Sequence, residues 1–97
     1  MVVLKGAGSI VAAPGRVPRV VLAGNPGMAV GGMGDVLSGV IAALRAQGHD
    51  AFDAASCGAL LHAAAGDAAA GDGGQRGLLP SDLMPWLRRL ANPGSPA

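Results

Sequence analysis

The 97-residue chain holds one cysteine, Cys57. No internal disulfide can form, and the expectation is a reducing, cytoplasmic compartment. Aromatic residues are equally scarce: Phe52 and Trp86 are the only two, and tyrosine is absent. Any core must then be assembled from Ala, Val, Leu, Ile and Met. These stabilise by burial at roughly 25 cal/mol per Å² of apolar surface, so small side chains yield little each. Charge is thin as well, with 7 basic and 6 acidic residues, net +1. Such a balance creates no field that would gather nucleic acid or an anionic membrane surface, and both are excluded as expected partners. No apolar run reaches the roughly 18 residues of a membrane helix. The opening Met1-Val2-Val3-Leu4-Lys5 lacks the basic leader and long apolar stretch of a signal peptide. It reads as a strand already under way, and a chain of this size with so light a core is expected to lean on further sequence or on a partner subunit.

Glycine and small apolar residues are abundant. The 17 glycines and 7 prolines approach the composition of a disordered chain, but 51% apolar content supplies material to bury. The pattern reads as strands first and helices afterwards. Val2-Val3-Leu4 and Ser9 to Ala12 are short β-branched runs, and Val17 to Leu22 is a third, made ragged or edge-placed by Pro18. Ala23 to Gly34 reads as a glycine-rich loop. From Asp35 the period becomes helical, with Val36, Leu37, Val40, Ile41 and Leu44 on one face and Gly48 as C-cap. Asp50 is suited to N-cap a second helix carrying Phe52, Ala55, Leu60, Leu61 and Ala64 to about Ala70. Gly71 to Gly77 reads as a connection, Ser81 to Leu90 as a last short helix with Pro85 in its first turn, and 92–97 as a frayed tail. Residues 1–91 are expected to form one unit.

Two glycine motifs carry possible chemistry. Lys5-Gly6-Ala7-Gly8-Ser9 follows a strand and superficially resembles a dinucleotide fingerprint. That fingerprint requires a helix directly after the turn, which Pro14, Gly15 and Pro18 forbid, and an acidic residue about twenty positions on, which is missing before Asp35. A tight hairpin between two strands, with Lys5 exposed, is the plainer reading of the pattern, beside a functional one. The second motif, Asn25 to Asp35, runs straight into the amphipathic helix. Glycines permit a bend in which N–H groups converge, and the helix adds its positive end, a combination that suits a phosphoryl group. Asp35 at the helix start either complements the helix dipole or serves as a general base for a hydroxyl nucleophile; the two roles are compatible.

The run Asn25 to Gly39 (NPGMAVGGMGDVLSG), together with Val3 to Ser9, Leu61 to Asp67 and Leu79 to Leu83, closely resembles the C-terminal part of the ADP/ATP-dependent NAD(P)H-hydrate dehydratases. That family lies in the ribokinase-like superfamily. The resemblance implies an α/β fold of which this chain is the C-terminal portion, short strands followed by packed helices. It implies a hydro-lyase that transfers the terminal phosphoryl group of ADP to the ring hydroxyl of hydrated NADH or NADPH and then eliminates phosphate, leaving AMP. Bacterial and archaeal members generally use ADP and eukaryotic ones ATP, and the motif does not decide between them. By motif position, Lys5, Gly6, Ala7, Gly8 and Ser9 would contact the AMP portion. Gly31, Gly32 and Gly34 would form the anion hole, Gly34 also touching AMP, and Asp35 would bind the hydrated cofactor and act as base. Mg²⁺ would travel with the nucleotide phosphates. A homo-oligomer and a fused upstream epimerase domain are also implied. Ser9 stands where the family more often has Thr, and Val30 where a small hydroxyl residue is frequent. A kinase of the same superfamily, or a truncated non-catalytic fragment, is the alternative.

Other polar residues read more plainly. His62 suits helix packing, His49 a turn, and Cys57 a small packing position; their spacing makes no zinc site. Asp67, Asp72 and Asp82 read as a helix-end, a loop and a first-turn residue. Met28 and Met33 read as gap fillers.

Overall fold

The computed structural model describes residues 2–4 and 9–92. Three short strands, β1 (Val2–Leu4), β2 (Ser9–Ala12) and β3 (Arg19–Val21), form an antiparallel sheet in the order β1-β2-β3. Leu4 pairs with Ile10, and Ile10 in turn with Val20. Antiparallel pairing of β1 with β2 is the hairpin arrangement expected of the first glycine motif, although Lys5, Gly6, Ala7 and Gly8 themselves lie outside the described residues. Period-two alternation turns Val11 and Val21 into the core and leaves Ile10 and Val20 exposed on the opposite face.

Three helices follow: α1 (Met33–Ala46), α2 (Ala51–Gly73) and α3 (Met84–Ala91). A 3₁₀ turn over Pro26–Met28 precedes α1, and another over Pro80–Leu83 precedes α3. Helix α2 is the hub. Phe52, Ala55, Ala59 and Ala63 pack with Val11, Val21 and Leu37, joining it to the sheet and α1. Ala65 and Ala69 pack instead with Met33, Leu78 and Leu83, under Met28, Trp86 and Leu87. Alanine on two faces allows close approach on both, which is how a chain with two aromatics builds a core. Among the described residues no helix is long and apolar enough to cross a membrane.

Several expectations shift. Helix α1 begins at Met33, two residues before Asp35, because burial of Met33 draws the glycine-flanked segment into the first turn. Helix α2 continues to Gly73, so Asp67 lies within its body and Asp72 in its last turn rather than in a loop. Cys57, expected to pack, is exposed on its outer face, as is Leu60. The Ser81 to Leu90 segment divides into a 3₁₀ turn and α3, with the Asp82 carboxylate accepting the Leu79 N–H at 2.8 Å. His62 is buried within α2, as helix packing requires.

The start of α2 is also the point at which the sheet is fastened. The Asp50 carboxylate accepts the Asp53 N–H at 2.8 Å, the N-cap read from the sequence. Arg16 and Arg19 reach from the β2–β3 hairpin to Asp50 and Asp53 at 3.1 and 3.0 Å, and both guanidinium groups lie over the buried Phe52 ring. The Asp53 backbone N–H and then Arg16 hold the Asp50 carboxyl below its ordinary value of 3.8. A depressed carboxylate stabilises the fold above that ordinary value and ceases to do so as pH falls through the lowered one. Asp50→Asn keeps a capping side chain but removes the charge. The melting temperature of the variant is expected to lie below wild type at neutral pH and to converge with it well below pH 3.8. A gap that is the same at both pH values would contradict the assignment.

Candidate functional site

The segment between β3 and α1 is built from local hydrogen bonds. Asn25 accepts the Gly27 N–H through Oδ1 at 3.0 Å, and Pro26 supplies the preset backbone angle that starts the 3₁₀ turn. The Ala29 N–H then donates to the Pro26 carbonyl at 3.1 Å and the Val30 N–H to the Met28 carbonyl at 2.9 Å. Gly32 ends the segment in a positive-φ conformation, φ +93, that redirects the chain into α1.

Helix α1 opens without a side-chain cap at its N-terminus. The Val36 N–H makes the first intrahelical bond, to the Gly32 carbonyl at 3.2 Å. The N–H groups of Gly34 and Asp35 therefore have no intrahelical acceptor and face the positive end of the helix dipole. Gly31, Gly32, Gly34 and Asp35 are all exposed. Gly32 gives α1 no side-chain cap, and Asp35 stands in the first turn rather than at the cap position. Among the described residues the Asp35 carboxylate makes no hydrogen bond or ion pair, so it is not consumed by capping. The arrangement can receive an anion on backbone N–H groups with a carboxylate alongside.

Ser9 lies at the start of β2 and lines a cavity of about 440 Å³ with Gly24, Asn25, Met28, Met33 and His62. The first glycine motif and the glycine-rich loop thus share one cavity at Ser9 and Met33, while Lys5 through Gly8 lie outside the described residues. Met33 is buried and Met28 packs against the second core cluster, as gap fillers do.

Sequence reading missed how the loop is held. Asp67, from the body of α2, accepts the Gly24 N–H through Oδ2 and the Asn25 side-chain N–H through Oδ1, both at 2.9 Å. Gly27 approaches the turn after α2 so closely that a Cβ there would lie 2.6 Å from the Gln75 carbonyl oxygen. One signal was available: aspartate is a poor helix former, and one lodged in an alanine-rich helix invites a reason outside the helix.

A small antiparallel sheet and packed helices, with a glycine-rich turn that opens onto a helix N-terminus, define an α/β protein. A family model described as NAD(P)H-hydrate dehydratase matches residues 1–89, and the chain belongs to that family. It is 56% identical over 92 residues to the bifunctional NAD(P)H-hydrate repair enzyme Nnr of Vibrio cholerae, covering 95% of this chain and 18% of that protein. It is 52% identical over 91 residues to the Nnr enzyme of Escherichia coli, covering 94% and 18%. With the ADP-dependent (S)-NAD(P)H-hydrate dehydratase of Neisseria meningitidis the identity is 46% over 92 residues, covering 94% and 31%. The chain therefore spans under a fifth of the bifunctional relatives and under a third of the Neisseria protein.

Proposed function

We propose that this chain carries the phosphate-binding turn and the catalytic carboxylate of an ADP-dependent (S)-NAD(P)H-hydrate dehydratase of ribokinase-like fold. The observation that carries the reading is the N-terminus of α1, which no side chain caps, with Asp35 exposed in its first turn. The name of the Neisseria relative, an ADP-dependent dehydratase 46% identical to this chain, supports ADP as the nucleotide.

In this reading the terminal phosphoryl group of ADP rests against the backbone N–H groups of Gly31, Gly32 and Gly34. Their fixed dipoles stabilise the charge that spreads over its oxygens during transfer. Asp35 accepts the proton of the ring hydroxyl as that oxygen bonds to phosphorus, and AMP leaves. Cleavage of the ring C–O bond then releases phosphate and restores the dihydronicotinamide. Lys5 through Ser9 hold the AMP portion. Among the described residues no three His, Cys, Asp or Glu side chains cluster as a cage for a metal. Mg²⁺ would travel with the nucleotide phosphates, where it would supply charge neutralisation. The bifunctional relatives support a second activity on the same polypeptide, which we assign to an upstream epimerase domain.

The test supplies hydrated NADH, Mg²⁺ and ADP to the complete gene product and follows reduced-nicotinamide absorbance, with AMP measured in parallel. Stoichiometric return of absorbance and release of AMP is the expected result. A kinase acting on some other hydroxyl would restore no absorbance.

A further inference from the structure

Helix α2 has no need of Asp67 for its own packing. Its neighbours Ala65 and Ala69 are already buried against the second core cluster, while Asp67 is exposed and aspartate weakens a helix interior. What Asp67 contributes lies on the glycine-rich loop. Its two oxygens accept from two different donors, the Gly24 backbone N–H and the Asn25 side-chain amide. Asn25 passes the constraint on, because its Oδ1 accepts the Gly27 N–H at the turn over Pro26–Met28. A continuous set of hydrogen bonds thus runs from the body of α2 to the start of the loop, whose other end is the first turn of α1. Charge-assisted bonds are stronger than neutral ones, and two acceptors on one rigid group fix direction as well as distance.

From this geometry we infer that Asp67 is a positioning residue for the phosphate-binding turn. It fixes how the start of the loop lies against α2, and so where Gly31 to Gly34 meet the nucleotide. The inference rests on the proposed dehydratase function for its kinetic consequence, but its structural part does not. Because both bonds are exposed to water, they contribute little to global stability. Loop geometry is the more sensitive readout, since small misplacements of reacting groups are costly.

Donor and acceptor polarity allows a swap. In Asp67→Asn the introduced amide brings one N–H group against the Asn25 N–H group, two donors facing each other. In Asn25→Asp two carboxylates face each other. The double variant Asn25→Asp/Asp67→Asn restores one donor to one acceptor, keeps an acceptor for the Gly24 N–H, and leaves an oxygen for the Gly27 N–H. A role confined to bulk or helix stability would not recover in the double variant.

The experiment compares wild type, both single variants and the double variant in the complete gene product. It measures kcat and KM for ADP, together with hydrogen exchange resolved along the chain. Asp67→Asn is expected to lower kcat/KM for ADP by about 10- to 100-fold. Exchange should quicken across residues 24–34 and stay unchanged in β2 and the interior of α2. The double variant should return toward wild type in both readouts. Wild-type kinetics and exchange in Asp67→Asn would overturn the inference, as would a loss shared by all segments and not recovered by the double variant. If wild type itself restores no dihydronicotinamide, the dehydratase reading fails, and the exchange pattern alone decides whether Asp67 sets the loop.

Discussion

Asp35→Asn is expected to lower the turnover of hydrated NADH by about 10²–10⁴-fold, the span typical of a lost general base. Asparagine has nearly the same shape and cannot accept a proton under neutral conditions, so the change isolates basicity from packing. Asp35 is exposed in the first turn of α1, and Gly32 occupies the cap position. Removing the negative charge from this helix end weakens a dipole interaction of about 0.3–1 kcal/mol, too little to unfold the chain. An ADP phosphate approaching the same N–H groups also meets less repulsion, so nucleotide affinity should be kept or slightly improved. Steady-state rates on hydrated NADH, set beside ADP titration of the same preparation, separate the two effects. Turnover near wild type would mean that Asp35 only complements the helix dipole.

Gly32→Ala is expected to cost about 2–4 kcal/mol of stability. Two independent reasons converge on this residue. Its φ of +93 lies where side chains are strained, and an added Cβ would sit 3.0 Å from Pro80 Cγ. The proline ring cannot swing aside, because it begins the 3₁₀ turn that delivers the fully buried Leu83 to the core. The neighbouring Gly31 is the control. Its φ is not positive and a Cβ there meets nothing within 4 Å, so Gly31→Ala should change stability by less than about 0.5 kcal/mol. Denaturant titration of the two variants decides the matter, and equal losses would refute the conformational argument. Against the usual total of about 5–15 kcal/mol, the Gly32→Ala loss is large enough to shift the denaturation midpoint clearly.

Much of this molecule was legible before any coordinates. Short β-branched runs between glycine and proline could be little other than strands, and the switch from period two to period 3.6 marked α1. Asp50 was readable as an N-cap because capping is local: a carboxylate meets an N–H three residues on, and no distant contact is needed. The glycine-rich loop was readable too, since seven glycine, asparagine and proline positions within Gly24 to Gly34 leave few other conformations. What failed were judgements on which distant residues vote. The glycines around Met33 point to a loop, yet burial against Ala65, Ala69 and Leu83 draws it into α1. Helix α2 turns its alanines inward and leaves the large, apolar Leu60 outside, a choice that no local pattern makes.

Composition and local pattern, then, determined the elements, the glycine turn, the position of Asp35 beside it and the resemblance that led to the family. All of these depend on interactions within a few residues, or on motifs carried whole in the chain. Tertiary structure alone decided that Asp67 reaches back 42 and 43 residues to Asn25 and Gly24, and that Arg16 and Arg19 each cross 34 residues to fasten the sheet to α2. Such contacts depend on how α2 lies across both core clusters, and no spacing within the sequence encodes that distance. Helix periodicity tells which residues share a face; only packing tells what that face meets.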